Sequence, residues 1–345
     1  MGKPRIAVVG AGRVGCYVGG NLARAARVTL IGRVPTIDAI ADNGLTVVNL
    51  KGQRTVTPAR DLTLATEPSA VAGAALVLMT TKAADTFHAT QQIAPFLRPE
   101  TVILSLQNGL RNSEIMDEAL ESIFPSRAER PLVLRGMVPF NVVSRPDATY
   151  AQTTSGTIVV KDHPRIDPFF VAAEEAGLAI HRHPDMRAVL AAKLLLNLNN
   201  AINALSGLSL RQQLLDRDYR RVLADCQQEA LAVMRVARVR PAKLTPLPPR
   251  AMPTVLRTPT PVFVTVSRAA LAIKAGARSS MADDLDAGRL TEIDELQGAI
   301  VRLGEEHRVA TPVCRRVAEL VREAEAAGPQ RIPWTGKRLR AAVSS

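Results

Sequence analysis

The stretch Arg5-Ile6-Ala7-Val8-Val9-Gly10-Ala11-Gly12-Arg13-Val14-Gly15 decides the fold. Its first five residues, RIAVV, read as a buried strand, and residues 14–26 read as the helix that follows. Each glycine has a separate physical role. Gly10 permits a tight turn, Gly12 lets the backbone approach a pyrophosphate, and Gly15 lets the helix pack close on the strand. Amides at the helix start then face the phosphates. Gly10, Ala11, Gly12, Arg13, Val14 and Gly15 are therefore a candidate dinucleotide cradle. A ligand-free glycine turn is the plain alternative, but the strand–loop–helix–strand context favours the cradle.

Working outward, Arg27–Ile31 (RVTLI) reads as a second strand. Residues 75–79 (ALVLM) and 101–106 (TVILSL) read as further core strands, with more strand within 132–143 and 157–160. Continuous Val, Ile and Leu runs suit a parallel sheet covered on both faces. Strands alternating with helices give a doubly wound α/β domain. From about Met186 the texture becomes helical, over 188–205, 218–236, 264–275, 292–303 and 312–326. The expected organisation is an α/β dinucleotide-binding domain over 1–184, an all-helical domain over 185–328 and a basic tail over 329–345. Seven prolines between Pro241 and Pro261 forbid a continuous helix there and predict a loop, arm or lid. The tail is expected to fray, with Trp334 its one anchor.

The chain has 345 residues, enough for about two domains at ~150 each. It is 47% hydrophobic and 22% charged, which argues against disorder. Cys16, Cys226 and Cys314 lie far apart in sequence, so a disulfide framework and a cysteine-rich zinc module are excluded. Of the histidines only His181 and His183 are neighbours, and no metal site is expected. The net charge of +12 favours anionic partners. Aromatics at 3% are too few for a nucleic-acid stacking platform, and the basic residues are dispersed. No signal peptide is visible, and the most apolar stretch, 188–210, carries Lys193 and several asparagines, a poor membrane span. A cytoplasmic protein acting on a small anionic molecule is expected, with no nucleic acid and no membrane; a homodimer is compatible with the exposed helical faces.

Position 33 discriminates between cofactors. An NAD-preferring site places Asp or Glu at the end of the second strand, where this chain has Gly32-Arg33. A guanidinium there can pair with a 2′-phosphate, so NADPH is the expected cofactor. Lys82 and Asn108 follow later strands, in Thr80-Thr81-Lys82 and Gln107-Asn108-Gly109. Ligands of open α/β sheets sit at such strand ends. The bland readings are an exposed loop cation and an Asn-Gly turn.

The second half holds an unusual helix, Ala191-Ala-Lys-Leu-Leu-Leu-Asn-Leu-Asn-Asn-Ala-Ile-Asn203. At about 100° per residue, Lys193, Asn197 and Asn200 fall within an arc of roughly 60°. Leu194, Leu195, Leu196 and Leu198 cover most of the remainder. Burying a lysine is costly unless it has partners or a task. Reducing a ketone supplies one, because an ammonium can stabilise charge building on oxygen and donate the proton. A lysine snorkelling to the helix edge is the alternative. Later, Ser280 with Asp283 and Thr291 with Asp294 could cap short helices; equally, Ser280 could bond a carboxylate and Glu292 a cofactor hydroxyl.

Together these residues resemble the ketopantoate reductase family. The resemblance runs from about residue 5 to 326 and rests on GAGRVG at 10–15, TTK at 80–82, LQNG at 106–109, KLLLN at 193–197 and SSMADDLDAGRLTEID at 279–294. It implies a Rossmann-like domain joined to a helical one, with the active site in the cleft they form. It implies NADPH-dependent reduction of 2-dehydropantoate to (R)-pantoate, a step toward pantothenate and coenzyme A. The catalytic lysine falls on Lys193, and the substrate contacts fall on Asn108, Asn197 and Ser280. Cofactor contacts fall on Arg33, Lys82, Asn108 and Glu292, with a main-chain contact near Asn141. Two family asparagines have no match, since Ala201 and Arg211 stand at or near their places. That leaves open another branched 2-keto acid, an opine-type dehydrogenase or an NADPH-binding sensor.

Overall fold

The apolar runs that open the chain become strands because both of their faces find a cover. The computed structural model describes residues 2–271 and 276–344. It divides into two units, Met1–Met186 and Arg187–Ser345. In the first, the strands are β1 (Arg5–Val9), β2 (Arg27–Ile31), β3 (Leu45–Val48), β4 (Arg54–Thr57), β5 (Thr63–Ala65), β6 (Leu76–Met79), β7 (Val102–Ser105), β8 (Leu132–Met137), β9 (Val142–Arg145), β10 (Thr149–Gln152), β11 (Ile158–Lys161) and β12 (Ile180–His183). Eight of them form one sheet in the order β12-β11-β8-β7-β6-β1-β2-β5. Every pairing in it is parallel except β8 with β11. Alternate residues of β1 feed opposite faces: Ile6 and Val8 join one apolar cluster, Ala7 and Val9 the other. The helices of this unit are α1 (Arg13–Leu22), α2 (Val34–Asn43), α3 (Thr86–Ile93), α4 (Asn112–Glu121) and α5 (Asp167–Glu175).

The chain leaves β1 toward β2 and β5, then returns to place β6 on the other side of β1. That reversal makes the carboxyl ends of β1 and β6 the switch point, where open α/β sheets bind ligands. A second sheet, β4-β3-β10-β9, was not anticipated from the sequence. It packs on α1, and Tyr17 Oη donates to Gln152 Oε1 at 2.8 Å.

The second unit is helical, as its sequence predicts. Its helices are α6 (Met186–Asn197), α7 (Asn199–Ser206), α8 (Leu210–Leu215), α9 (Arg217–Val236), α10 (Met252–Arg257), α11 (Thr260–Val266), α12 (Arg268–Leu271), α13 (Ser280–Asp286), α14 (Gln297–Glu306), α15 (Pro312–Ala327) and α16 (Gly336–Ser344). The helix expected over 264–275 is two short pieces instead, and 272–275 lie outside the described residues. The run Met186–Ser206 is long and apolar enough to cross a membrane, but 72% of its most apolar window is buried inside the protein.

Two expectations change here. The proline-rich segment holds no continuous helix, as expected, but where a loop, arm or lid was expected it folds in part into the short α10, which packs on α9. Fully buried Arg220 of α9 donates to Leu256 O, Thr258 O and Thr260 Oγ1, and its guanidinium lies 4.4 Å from the Phe263 ring centre. Nor does the basic tail fray. It ends in α16, with Leu339 fully buried and Tyr219 Oη donating to Trp334 O at 2.6 Å. Charged residues spaced around a few apolar ones read as disorder, yet Leu339 and Val343 share a face that α9 covers.

Candidate active site

The glycine loop folds as its spacing predicts. Gly10 has φ +102, a conformation L side chains rarely adopt, and a Cβ there would stand 2.6 Å from Thr81 N. A Cβ on Gly15 would collide with Gly10 O and meet Thr80 Oγ1 at 2.6 Å. At Gly12 nothing lies within 4 Å of that position. Two glycines are therefore required by packing, and the middle one opens the backbone to an approaching group. Gly12 also starts α1 with no side chain capping it, which leaves the helix N-terminus to a ligand's negative charge.

This loop forms one wall of a cavity of about 600 Å³ at the carboxyl ends of β1, β2 and β6. Gly10, Ala11, Gly12, Arg33 and Lys82 all line it, so it gathers two cations of the sequence reading at the cradle. Arg13, Val14 and Gly15 open α1 directly behind. Thr36, His88 and Gln92 line the same cavity and were missed from sequence. His88 and Gln92 are one helical turn apart on α3, a signal visible only once α3 is known to face the loop. A glycine-opened loop, an uncapped helix start and the cations Arg33 and Lys82, with Asp85 the one carboxylate in the lining, fit the phosphates of a dinucleotide.

Asn108 follows β7, where a further missed residue organises the strand ends. Buried Gln107 donates through Nε2 to Thr81 O and Thr81 Oγ1, both at 3.0 Å, and to Thr86 Oγ1 at 2.8 Å. Asn112 Nδ2 donates to Asn108 O at 2.6 Å. The Lys82 and Asn108 loops are thus tied to one network. Asn141 stands apart in the β8–β9 connection, exposed, with its N–H donating to Thr154 Oγ1 and its carbonyl accepting from Thr153 N.

In the second unit, Lys193, Asn197 and Asn200 are all half-buried, as one stripe requires. Leu194, Leu195 and Leu198 are buried, but Leu196 is 38% exposed, so the apolar surface of the helix is not covered all round. Although the side chain keeps some accessible surface, protein surrounds the Lys193 ammonium. Burial pushes its pKa from 10.5 down to about 8, against the opposing charge of Glu292. Lys193 and Glu292, about a hundred residues apart in sequence, are electrostatic neighbours.

Ser279, not Ser280, caps α13: its Oγ accepts from Ala282 N at 3.2 Å and donates to Asn200 O at 3.1 Å. Ser280, half-buried at the first position of α13, is therefore spared the capping task and directly follows the residue that bonds Asn200 O. Fully buried Asn203, also missed, accepts from Ser279 N at 2.9 Å and donates to Leu208 O at 3.0 Å. Thr291 does not cap with Asp294 as expected: Glu292 stands at the N-cap of the short turn Ile293–Glu295 without a side-chain cap, and Thr291 Oγ1 instead accepts from Ile293 N at 3.2 Å. Ala201 is completely buried, so this position points into the core while Asn200 does not. Arg211 is exposed.

These features define a class: a Rossmann-type dinucleotide-binding domain joined to a helical domain that carries a half-buried, perturbed lysine. Residues 6–165 match the family described as ketopantoate reductase PanE/ApbA, and residues 185–325 match its C-terminal region. The chain belongs to the ketopantoate reductase family of oxidoreductases. It is 28% identical to the 2-dehydropantoate 2-reductase of Halobacterium salinarum, over 94% of this chain and all of that one. The counterpart of Mesorhizobium japonicum is also 28% identical, over 92% and 97%. The crystal structure of a PanE/ApbA family ketopantoate reductase from Ralstonia eutropha is 29% identical with a TM-score of 0.78, covering 94% of this chain and 99% of that one. A D-mandelate dehydrogenase bound to NADH and anilino(oxo)acetate shares the fold, at 21% identity and a TM-score of 0.75.

Proposed function

We propose that this protein reduces 2-dehydropantoate to (R)-pantoate with NADPH, in the cytoplasm, on the route to pantothenate and coenzyme A. The observation that carries the reading is Lys193, an amine set among leucines whose burial lowers its pKa to about 8, in line with Asn197 and beside the charge of Glu292. The relatives named 2-dehydropantoate 2-reductase support the substrate. Arg33 and Lys82 in the wall of the glycine-loop cavity support a 2′-phosphate, hence NADPH over NADH.

When bound, NADPH supplies a hydride to the ketone carbon. Gly12 and the start of α1 hold its pyrophosphate, while Arg33 and Lys82 hold the 2′-phosphate. Asn108 touches cofactor and substrate, and Glu292 bonds cofactor hydroxyls. Asn197 and Ser280 orient the substrate. Lys193, as the ammonium, bonds the ketone oxygen. As the carbonyl π bond breaks, its electron pair stays on oxygen and takes a proton from Nζ, and solvent later reprotonates the amine. A donor near pKa 8 is mostly charged at pH 7 and gives up its proton far more readily than an ordinary lysine. The buried Ala201 and exposed Arg211 favour a second reading, in which the substrate is a different branched 2-keto acid.

Absorbance at the nicotinamide band, with a panel of 2-keto acids and both reduced dinucleotides, tests the proposal. Expected is turnover of 2-dehydropantoate with NADPH preferred, a preference that Arg33→Ala erodes by raising KM for NADPH far more than for NADH. No turnover of any 2-keto acid defeats the function; equal shifts in the two KM values defeat phosphate recognition.

A further inference from the structure

The helix that carries Lys193 does not run unbroken. α6 ends at Asn197 and α7 begins at Asn199, although Leu198 itself keeps helical angles of φ −55 and ψ −23. The ladder holds up to Leu198, whose N–H donates to Leu194 O at 3.0 Å. Around the interruption, two carbonyls receive side-chain amides from far along the chain. Leu195 O accepts Gln227 Nε2 at 3.1 Å, and Leu198 O accepts Gln297 Nε2 at 2.8 Å. In an uninterrupted helix the partner of Leu195 O would be the N–H of Asn199. A side chain inserted into that ladder is one of the few things that interrupts a helix lacking proline.

Space filling does not explain these two glutamines. Gln227 is 3% exposed and Gln297 fully buried, and the Oε1 of each has no protein hydrogen-bond partner among the described residues. Burying an amide oxygen unpaired costs stability, which a methionine of similar volume would avoid. The donor half of each amide is the half that is used. Gln227 sits in α9, the longest helix of the unit. Gln297 opens α14 five residues after Glu292, so its bond ties the segment bearing Glu292 to the helix bearing Lys193. Beyond the interruption, Asn203 and Ser279 fasten α13, and with it Ser280, to α7. Leu198 therefore separates two fixed groups: Lys193 and Asn197 before it, Asn200 and Ser280 after it.

We propose that Gln227 and Gln297 are positioning residues, whose amides hold the interruption at Leu198 and so set Lys193 and Asn197 in register with Asn200 and Ser280. The proposal rests on reading Lys193 as the proton donor. Neither glutamine touches the reacting atoms; both act through the helix backbone.

The test replaces the amides by Gln227→Met and Gln297→Met, singly and together, in the full chain. It reads thermal midpoint, kcat, KM for NADPH and backbone hydrogen exchange at Asn199. Removing both amides lets the Asn199 N–H claim Leu195 O. Expected for the double variant is a thermal midpoint no lower than that of the parent, slower exchange at Asn199 and a kcat lower by roughly ten- to a hundredfold, while Gln227→Met alone leaves KM for NADPH unchanged. Each single variant should fall partway, and restoring one glutamine in the double variant should recover part of the rate. An unchanged kcat overturns the proposal, as does a loss of kcat that merely tracks a loss of folded protein in the single variants. If the parent reduces no 2-keto acid, the functional reading has failed and exchange at Asn199 still decides this one: unaltered exchange refutes it, and slowed exchange upholds the amides' hold on the helix.

Discussion

The glycine loop and the Lys193 helix manage charge by opposite means. In the loop the backbone does the work. Gly10 and Gly15 lack side chains because atoms of the chain stand where a Cβ would go, and Gly12 lacks one where space is left open. In the helix the proposed working groups are side chains on a nearly regular backbone. Their setting comes from Gln227, Gln297 and the Asn203–Ser279 pair, partners 32, 99 and 76 residues from the groups they bond. A site made of backbone is specified by residues that are neighbours in sequence. A site made of side chains is specified by whatever the fold brings alongside.

If that contrast is right, the helix should fail chemically and the loop structurally. The largest expected effect is at Lys193. Lys193→Ala should lower kcat by about two to four orders of magnitude, the range of a positioned proton donor, while the protein still folds and still binds NADPH. Stopped-flow reduction and dinucleotide fluorescence titration measure the two halves of that statement. A variant that turns over at the parental rate would make α6 a scaffold and erase the contrast.

Within the loop the glycines should separate. Gly15→Val places atoms against Gly10 O and Thr80 Oγ1 and should destabilise the protein by about 1–3 kcal/mol or more in urea unfolding. Gly12→Ala meets no protein atom and needs no unusual backbone angle, since Gly12 has φ −89. It should leave the unfolding midpoint where it is and weaken NADPH binding about tenfold, or ~1.4 kcal/mol. Equal losses of stability in both variants would mean that all three glycines serve packing alone.

The same contrast explains what could be read in advance. β1 and β2 appear at their observed residues in the sequence reading, because a parallel strand buried on both faces is a bare apolar run. The small second sheet escaped notice. Its strand β4, RTVT, has only Thr57 buried, so no apolar run announces it. Among candidate site residues, those marked by glycine spacing or a strand end were legible, and the cavity gathers five of them. Gln107, Asn203, Gln227 and Gln297 were not, because a buried amide in sequence looks like any surface amide until its partner carbonyl is known. Ser279 and Ser280 show the limit at one-residue scale. Either could cap α13 by composition, and the hydrogen bond from Ser279 to Asn200 O, across 79 residues, decides which one does.

The smallest expected effect is a titration, and its sign follows from the cause of the shift. Burial disfavours the charged form of Lys193 and lowers its pKa to about 8, while Glu292 favours that form and limits the fall. Reduction needs the ammonium, so its kcat/KM should be level below pH 8, halve near pH 8 and drop about tenfold per unit above it. Oxidation of the hydroxy acid needs the free amine and should rise through the same pH. Glu292→Gln removes the supporting charge, so the limb should move to lower pH, whatever that change does to cofactor binding. A limb that stays near 8 in this variant would show that Glu292 does not act on the amine. A limb near the ordinary lysine value of 10.5 in the parent would mean that the ammonium is as well hydrated as any surface lysine, and the side-chain half of the comparison would lose its physical basis.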